Sequence, residues 1–301
     1  MRGVLSILRA APLSTVQDDG RFGMLRHGGS ASGPMDRASF AAAVGLVGNA
    51  GRSGIEFTMA GLDVRLEEGA CRVGFAGGDF RVVLNGKPLA WPGVAMLVAG
   101  DRLTITPGAW GNYGYLRFDA ELALPEVMGS RATSTRNQLG GLAGRSLKAG
   151  DRLTLGDGEP LPAAMVQPTG LVDAPIRVVW GLHAELFDGA LRERFLSSSF
   201  KVSSRLDRMG VRLDDPQGVF SDAKILSLVS DAVVPGDIQI LGDGTPIVLM
   251  RDHQPTGGYP RIATVITADL DRFAQMRPGS AVAFVPVSVE HAHRSLRSGG
   301  Q

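Results

Sequence analysis

Apolar positions along this chain come mostly in short runs bounded by Gly, Asp, Asn and Pro, the pattern of β-strands joined by tight turns. Val4 to Leu13 reads as the first strand. A Gly-rich loop, Gly28 to Asp36, then leads into a helix. Asp36 is placed to cap it, Phe40, Val44 and Val47 recur at helical spacing, and Gly48-Asn49 ends it. From Ile55 to Thr106 the pattern predicts short strands and tight turns, with Leu84-Asn85-Gly86-Lys87 as a hairpin whose two central residues take positive φ. Ala99-Gly-Asp-Arg-Leu-Thr104 returns verbatim as Ala149-Gly-Asp-Arg-Leu-Thr154. Val234-Pro-Gly-Asp-Ile-Gln239 and Arg277-Pro-Gly-Ser280 are looser echoes of the same turn-into-strand device. Their spacing is too irregular for a solenoid.

The stretch 156–174 breaks the strand rhythm with Pro and Gly and reads as a linker between domains at 1–165 and 174–301. Beyond it the pattern predicts a strand from Ile176 to Trp180 and a helix from Glu185 to Phe195. A strand at Phe200–Ser203 and another from Arg208 onward follow. Three apolar runs then surround a polar loop between Gly236 and Val265. A short helix at Asp269–Met276, a core strand at Ala281–Val287 and a fraying polar tail from His291 to Gln301 complete the chain.

Composition narrows this picture. The 301 residues suffice for two domains, the hydrophobic fraction of 44% supports a core, and 41 glycines without a collagen-like period mark turns. The fold class expected is mainly β. Lys+Arg 31 against Asp+Glu 30 leaves a formal charge of +1, which offers no electrostatic case for nucleic acid. A single cysteine, Cys71, excludes an intramolecular disulfide and a cysteine metal cluster and fits a core position. The N-terminal run is too short and interrupted for a signal peptide, and no apolar run approaches the roughly 18 residues of a membrane span. A cytoplasmic protein is expected.

There is no phosphate-binding G-x-x-x-x-G-K-[ST], no G-x-G-x-x-G after a strand, no G-x-S-x-G elbow and no H-E-x-x-H helix. The candidate chemistry gathers in the loop after Met250. Asp252 and His253 could act as an acid–base pair, Asp252 orienting the imidazole; Asp252 could equally be a loop cap. Thr256, Gly257, Gly258 and Tyr259 offer a hydroxyl and close backbone approach to an anion or carbonyl oxygen, or form a plain tight turn. Arg208 could take a substrate carboxylate through its fork, or join Arg205 and Arg212 on a solvated face. Gln239 could read an amide. In the first half, Ser32 and Asp36 at the helix start could hold an anion or simply cap it. His291 and His293, two apart, would not share a helical face, and no metal site is expected.

Several motifs then occur in a specific order. They are Val16-Gln-Asp-x-Gly-Arg21, Ser32-Gly-x-Met-Asp36, Leu46-Val-Gly-Asn49, Gly129-Ser-Arg131 and Gly140-Gly-Leu-x-Gly-Arg145. Asp207-Arg-Met-Gly-x-Arg-Leu213, Pro235-Gly-x-Ile-Gln239, Asp243-Gly-x-Pro-Ile247 and Thr256-Gly-Gly-Tyr-Pro260 follow. As an ordered set they resemble the biotin-dependent carboxyltransferase family, in the branch of 5-oxoprolinase C subunits, KipA proteins and second subunits of allophanate hydrolases. The resemblance covers nearly the whole chain. It implies two cyclophilin-like β-barrel domains with a few short helices. It implies a subunit of an ATP-dependent 5-oxoprolinase that opens the lactam of 5-oxo-L-proline to L-glutamate. Its partners would be the A and B subunits of that enzyme, the latter KipI-like. The alternatives it brings are carboxyl transfer from carboxybiotin to urea or a similar small amide, with biotin supplied by a partner, and a regulatory protein that antagonises a kinase inhibitor. Met209 enters the expected substrate-binding set with its motif. The chain departs from the family pattern at Pro34, at Ala120-Glu121 where Gly-Gly is usual, and at Pro255 where Thr is usual.

Overall fold

The computed structural model describes residues 2–158, 161–162, 166–221 and 228–298. It is mainly β, with four α-helices among the described residues: α1 Arg37–Val47, α2 Gly189–Ser197, α3 Thr267–Ala274 and α4 Val289–Ser298. Its contacts divide the chain into unit 1, Met1–Gly23 with Ala31–Leu171, and unit 2, Met24–Ser30 with Val172–Gln301. The linker expected at 156–174 lies partly outside the described residues.

Unit 1 is organised around one strand of 16 residues, Leu62–Gly77. Its first half pairs with Gly3–Ala10 and Arg102–Pro107; its second half pairs with Gly93–Val98 and Tyr113–Phe118. Short strands form as expected at Gly54–Thr58, Phe80–Leu84, Lys87–Leu89, Gly93–Val98 and Arg102–Pro107, whereas Leu62–Gly77 is one long strand that bends. The bend falls at Gly69, where φ is +82° and a Cβ would collide with the carbonyl oxygen of Arg2. Arg65, Glu67 and Glu68 are exposed along this part of the strand. The Asn85-Gly86 hairpin forms as expected, with φ of 49° and 85°.

The curled sheet encloses a core that includes Leu5, Phe57, Phe75, Phe80 and Cys71. Phe57 meets Phe80 edge-on at 5.0 Å between centroids, and Phe75 stacks on Trp91 at 5.4 Å. Burial first, then the charge of Asp119, pushes the Cys71 thiol up to about 12, so it behaves as a small apolar group. Helix α1 starts at Asp36, whose Oδ1 accepts from Ser39 N at 2.9 Å, and stops at Gly48 with φ +94°. Its alanine face is thin because the sheet beneath is close: a Cβ on Gly74 would collide with the Ala43 carbonyl oxygen.

Unit 2 is an eight-stranded sheet. The order is Ala281–Val282, Phe200–Leu206, Gly210–Asp214, Pro246–Leu249, Asp237–Ile240, Arg261–Val265, Ile176–Trp180 and Phe284–Pro286. The two end strands are neighbours in sequence. Ala281 and Val282 pair with Phe200–Lys201, while Phe284–Pro286 pair in parallel with Ile176–Val178. One run therefore ties both ends of the sheet, which forces it to curl into a barrel. The single strand expected at Ala281–Val287 is split to do this. Phe195, Phe200, Phe220 and Phe284 fill the interior, with Phe195 stacked on Phe284 at 5.0 Å.

Two elements differ from expectation for local reasons. The helix expected from Glu185 begins only at Gly189, because Asp188 caps it by accepting from Leu191 N at 2.7 Å; a 3₁₀ turn, Ala184–Leu186, precedes it. The tail expected to fray forms α4. The Ser288 hydroxyl accepts from His291 N at 3.2 Å, and Arg177 donates to Ser295 Oγ at 2.9 Å.

The repeated turns prove to be one device used four times. In each, the residue after Gly donates its N–H to the carbonyl three positions back: Asp101 to Val98, Asp151 to Lys148, Asp237 to Val234 and Ser280 to Arg277. The three aspartates also accept the N–H of that same residue on a carboxylate oxygen, at 2.8, 2.9 and 3.0 Å in that order. Gly100, Gly150, Gly236 and Gly279 all hold φ between 86° and 97°. Each of their N–H groups reaches across to a distant strand: Leu66, Ile7, Leu249 and Val202 respectively.

Candidate functional site

In unit 2 the chain between Phe200–Leu206 and Gly210–Asp214 turns tightly. Asp207 Oδ1 accepts from the N–H groups of Met209 at 2.7 Å and Gly210 at 3.1 Å. Arg208 thus lies in a turn and not in a strand as expected, and its side chain points inward. Its Nε donates to Asp252 Oδ2 at 2.9 Å and its Nη2 to Asp252 Oδ1 at 3.3 Å. The backbone makes the same junction: Asp252 N donates to Arg208 O, and Met250 N to Met209 O. Arg205 is exposed and Arg212 half-buried, so the three arginines do not form one face.

His253 follows. It is buried, and its Nδ1 stands 2.6 Å from Gln254 O. A carbonyl only accepts, so Nδ1 carries the proton and Nε2 keeps its lone pair. Burial, partly opposed by that hydrogen bond and by Asp237 and Asp252, lowers the imidazole pKa below its ordinary value. The ring is therefore a neutral base with Nε2 as its accepting atom. The partnership suggested by sequence, Asp252 orienting His253, is replaced by two separate ones. Arg208 takes the carboxylate, and a main-chain carbonyl fixes the ring.

Gln239 sits on the strand Asp237–Ile240, buried, with Nε2 lacking any hydrogen-bond partner. Gly257 lies directly over that nitrogen, where any Cβ would collide with it. The loop carrying Gly257 is tied down on both sides. Thr256–Gly257 pairs with Asp231–Ala232, Val233 N donates to Pro255 O at 3.2 Å, and Leu228 N donates to Gly258 O at 2.6 Å. Pro255 lacks an N–H, yet its carbonyl takes part in this lacing. Thr256 and Tyr259 are exposed and Met209 half-buried.

Arg261 was not singled out by its sequence, although it organises the same loop. Its Nη2 pairs with Asp231 at 2.7 Å, and its Nη1 with Ala232 O at 2.7 Å and Asp237 at 3.2 Å. A charged residue opening an apolar strand, Arg261-Ile-Ala-Thr-Val265, was the available signal. Asp237 is the aspartate of the third Gly-Asp turn, so turn and loop share one carboxylate.

In unit 1, Asp36 is fully engaged at the start of α1. Besides Ser39 N, it accepts from Ser39 Oγ at 2.6 Å and Thr169 Oγ1 at 2.8 Å. Its own N–H donates to the Tyr115 hydroxyl at 2.8 Å, which in turn donates to Glu56 at 2.9 Å. Burial, then the charges of Glu56 and Asp36, raises the Tyr115 pKa well above its ordinary value. The nearby Ser32 has φ +57° and a buried Oγ without a partner. Glu121, one of the departures from the family pattern, turns its carboxylate onto the N–H groups of Arg52 at 2.6 Å and Ser53 at 3.1 Å and onto the Ser53 hydroxyl. It lines a cavity of about 370 Å³ together with Arg2, Arg72 and Asp119.

No group of three or more His, Cys, Asp or Glu residues able to hold a metal occurs among the described residues, and none of their helices is long and apolar enough to cross a membrane. Two curled β units, each with its own buried polar cluster, define a carboxyltransferase-type domain. Residues 27–286 match the family described as carboxyltransferase domain, subdomain A and B, and the chain belongs to that family. It is 37% identical over 294 residues to the 5-oxoprolinase C subunit of Escherichia coli (strain K12), covering 96% of this chain and 93% of the relative. It is 34% identical over 297 residues to the corresponding C subunit of Haemophilus influenzae, covering 98% and 94%. The urea carboxylase structure from Kluyveromyces lactis superposes with a TM-score of 0.88 at 28% identity. That match covers 99% of this chain but only 29% of the larger protein.

Proposed function

We propose that the chain is the C subunit of an ATP-dependent 5-oxoprolinase, acting with the A and B subunits to open 5-oxo-L-proline to L-glutamate. The observation that carries this reading is the extent of the match. The two C-subunit relatives align over more than nine-tenths of both chains, whereas the urea carboxylase is several times longer. The site chemistry is compatible. A lactam offers a carbonyl oxygen and an N–H; the unpartnered Gln239 Nε2 donates to the first, and the lone pair of His253 Nε2 can accept a proton. Gly257 lets the loop lie close over Gln239 Nε2, which a side chain would prevent. Arg208 enters as support: with its fork on Asp252, it rigidifies the segment that carries His253. ATP is used by the assembled complex, and the shared cytoplasmic setting follows from that assignment.

The test is reconstitution with the A and B subunits, ATP and 5-oxo-L-proline, following glutamate release. Turnover that depends on this chain supports the reading; a complex equally active without it removes it. A second reading, carboxyl transfer from a partner-borne carboxybiotin to a small amide, has the family match and the likeness to the urea carboxylase behind it but not the full-length match to the C subunits. Supplying a biotinylated carrier with urea in the same assay separates the two.

A further inference from the structure

Unit 1 contains a cavity of about 690 Å³ beside α1 whose charge is not balanced. It is lined by three arginines, Arg37, Arg52 and Arg117, against one carboxylate, Asp19, with Phe22 and Phe40 among its apolar walls. Arg117 lies at its inner side, only 1% exposed. Its Nη2 donates to the carbonyls of Gly51 at 2.7 Å and Arg52 at 3.1 Å, and its Cζ lies 3.9 Å from the Phe40 ring centroid. Its Nε has no partner, and no carboxylate forms an ion pair with it among the described residues. Asp19, Glu121 and Asp18 act on it through space without touching it, and burial still outweighs them, pulling its pKa down to about 10; a guanidinium held so is costly to keep.

The sequence makes room for it. Gly54 stands opposite Arg117 on the neighbouring strand, where a Cβ would collide with the Arg117 stem. Arg37 and Arg52 are exposed at the cavity and form no ion pair among the described residues, while Phe22 is 100% exposed. An inward cation held in place by a glycine, two free cations beside it and an uncovered ring are the parts of a site for an anion with an apolar body.

We propose that this cavity binds a small organic oxyanion, a carboxylate or a phosphate ester, whose head group is taken by Arg37 and Arg52 in the field of Arg117 and whose flat apolar body packs against Phe22 and Phe40. The inference stands apart from the lactam reading, since it uses none of the unit 2 residues.

Calorimetric titration of the full chain with benzoate, phenyl phosphate and the neutral isostere benzamide tests it. One anion should bind saturably, with benzamide at least about tenfold weaker, a difference of about 1.4 kcal/mol. The tighter of the two anions identifies the head group. Arg37→Ala with Arg52→Ala, both at exposed positions, should weaken the anion by at least about tenfold while the thermal midpoint stays in place. The proposal is overturned if neither anion saturates up to about 10 mM, if benzamide binds as well, or if the double variant binds unchanged.

Discussion

Arg208 and Asp252 form a two-pronged ion pair inside unit 2, Nε to Oδ2 at 2.9 Å and Nη2 to Oδ1 at 3.3 Å, with side chains only 3% and 2% exposed. Removing one member leaves the other charged and buried. Arg208→Ala should therefore destabilise the chain by about 3–5 kcal/mol. Arg208→Met combined with Asp252→Leu, which removes both charges and keeps the volume, should cost less than either single change. Urea denaturation of the two singles and the double measures the coupling. A double variant as unstable as the sum of the singles would show that the pair is not the interaction that matters.

Gln239 makes the opposite prediction. Its Nε2 is a buried donor without a partner, a cost of about 1–3 kcal/mol that the folded chain carries. Gln239→Leu should leave stability unchanged or raise it, while turnover of the reconstituted complex falls by at least about tenfold. Stability and activity moving apart is the signature of a group kept for a ligand. If Gln239→Leu unfolds the chain, the amide is structural.

His253 gives a pH dependence. Burial lowers its pKa in the folded state below the unfolded value, about 6.5. As pH falls through that value, the unfolded chain takes up the proton first, so folding stability decreases toward acid pH and is fully restored above about 7. His253→Gln should narrow the difference in denaturation midpoint between about pH 5.5 and 7.5. His183, whose pKa is also lowered, by burial and by Arg261, remains in the variant and accounts for part of what is left. An undiminished difference would place the titration elsewhere.

Much of the architecture was written locally. Asn85-Gly86, the Asp36 cap with Gly48 and the Gly-Asp turns each specify their own φ values and caps, so they read directly from sequence. The bend at Gly69 was not readable, because a glycine after solvent-facing charges looks the same in a turn and in a bulge; the strands on either side decide it. The splitting of Ala281–Pro286 between two sheet ends is likewise set by partners far away in sequence, at Phe200 and at Ile176, a long-range choice with no local mark. At the site, residue types were legible and their partners were not. Asp252 beside His253 in sequence suggested a dyad, while a turn at Asp207 brought Arg208 across to claim the carboxylate.

The Gly-Asp turns supply a graded experiment, because the same carboxylate is given different surroundings. At Asp101 it holds the Val98 N–H and the Asn85 amide near the surface. Asp101→Ala should cost about 1 kcal/mol, the value of a modest cap. Asp151 adds a two-pronged contact with Arg145, at 2.7 and 2.8 Å, which holds its carboxyl below the usual carboxylate range. Asp151→Ala should cost more, about 2 kcal/mol, since half-buried Arg145 can turn out to solvent. Asp237 is buried with Thr264 Oγ1 at 2.6 Å and Arg261 at 3.2 Å. Asp237→Ala takes one of two carboxylates from a buried guanidinium, leaving it Asp231 and the Ala232 carbonyl among the described residues, and unpairs Thr264 Oγ1, so it should cost about 3 kcal/mol. It should also loosen the Gly257 loop, which faster amide exchange at Val233 and Gly257 would report. Equal losses at the three positions would mean that the turn alone sets the energy and that the Arg261 clamp adds nothing.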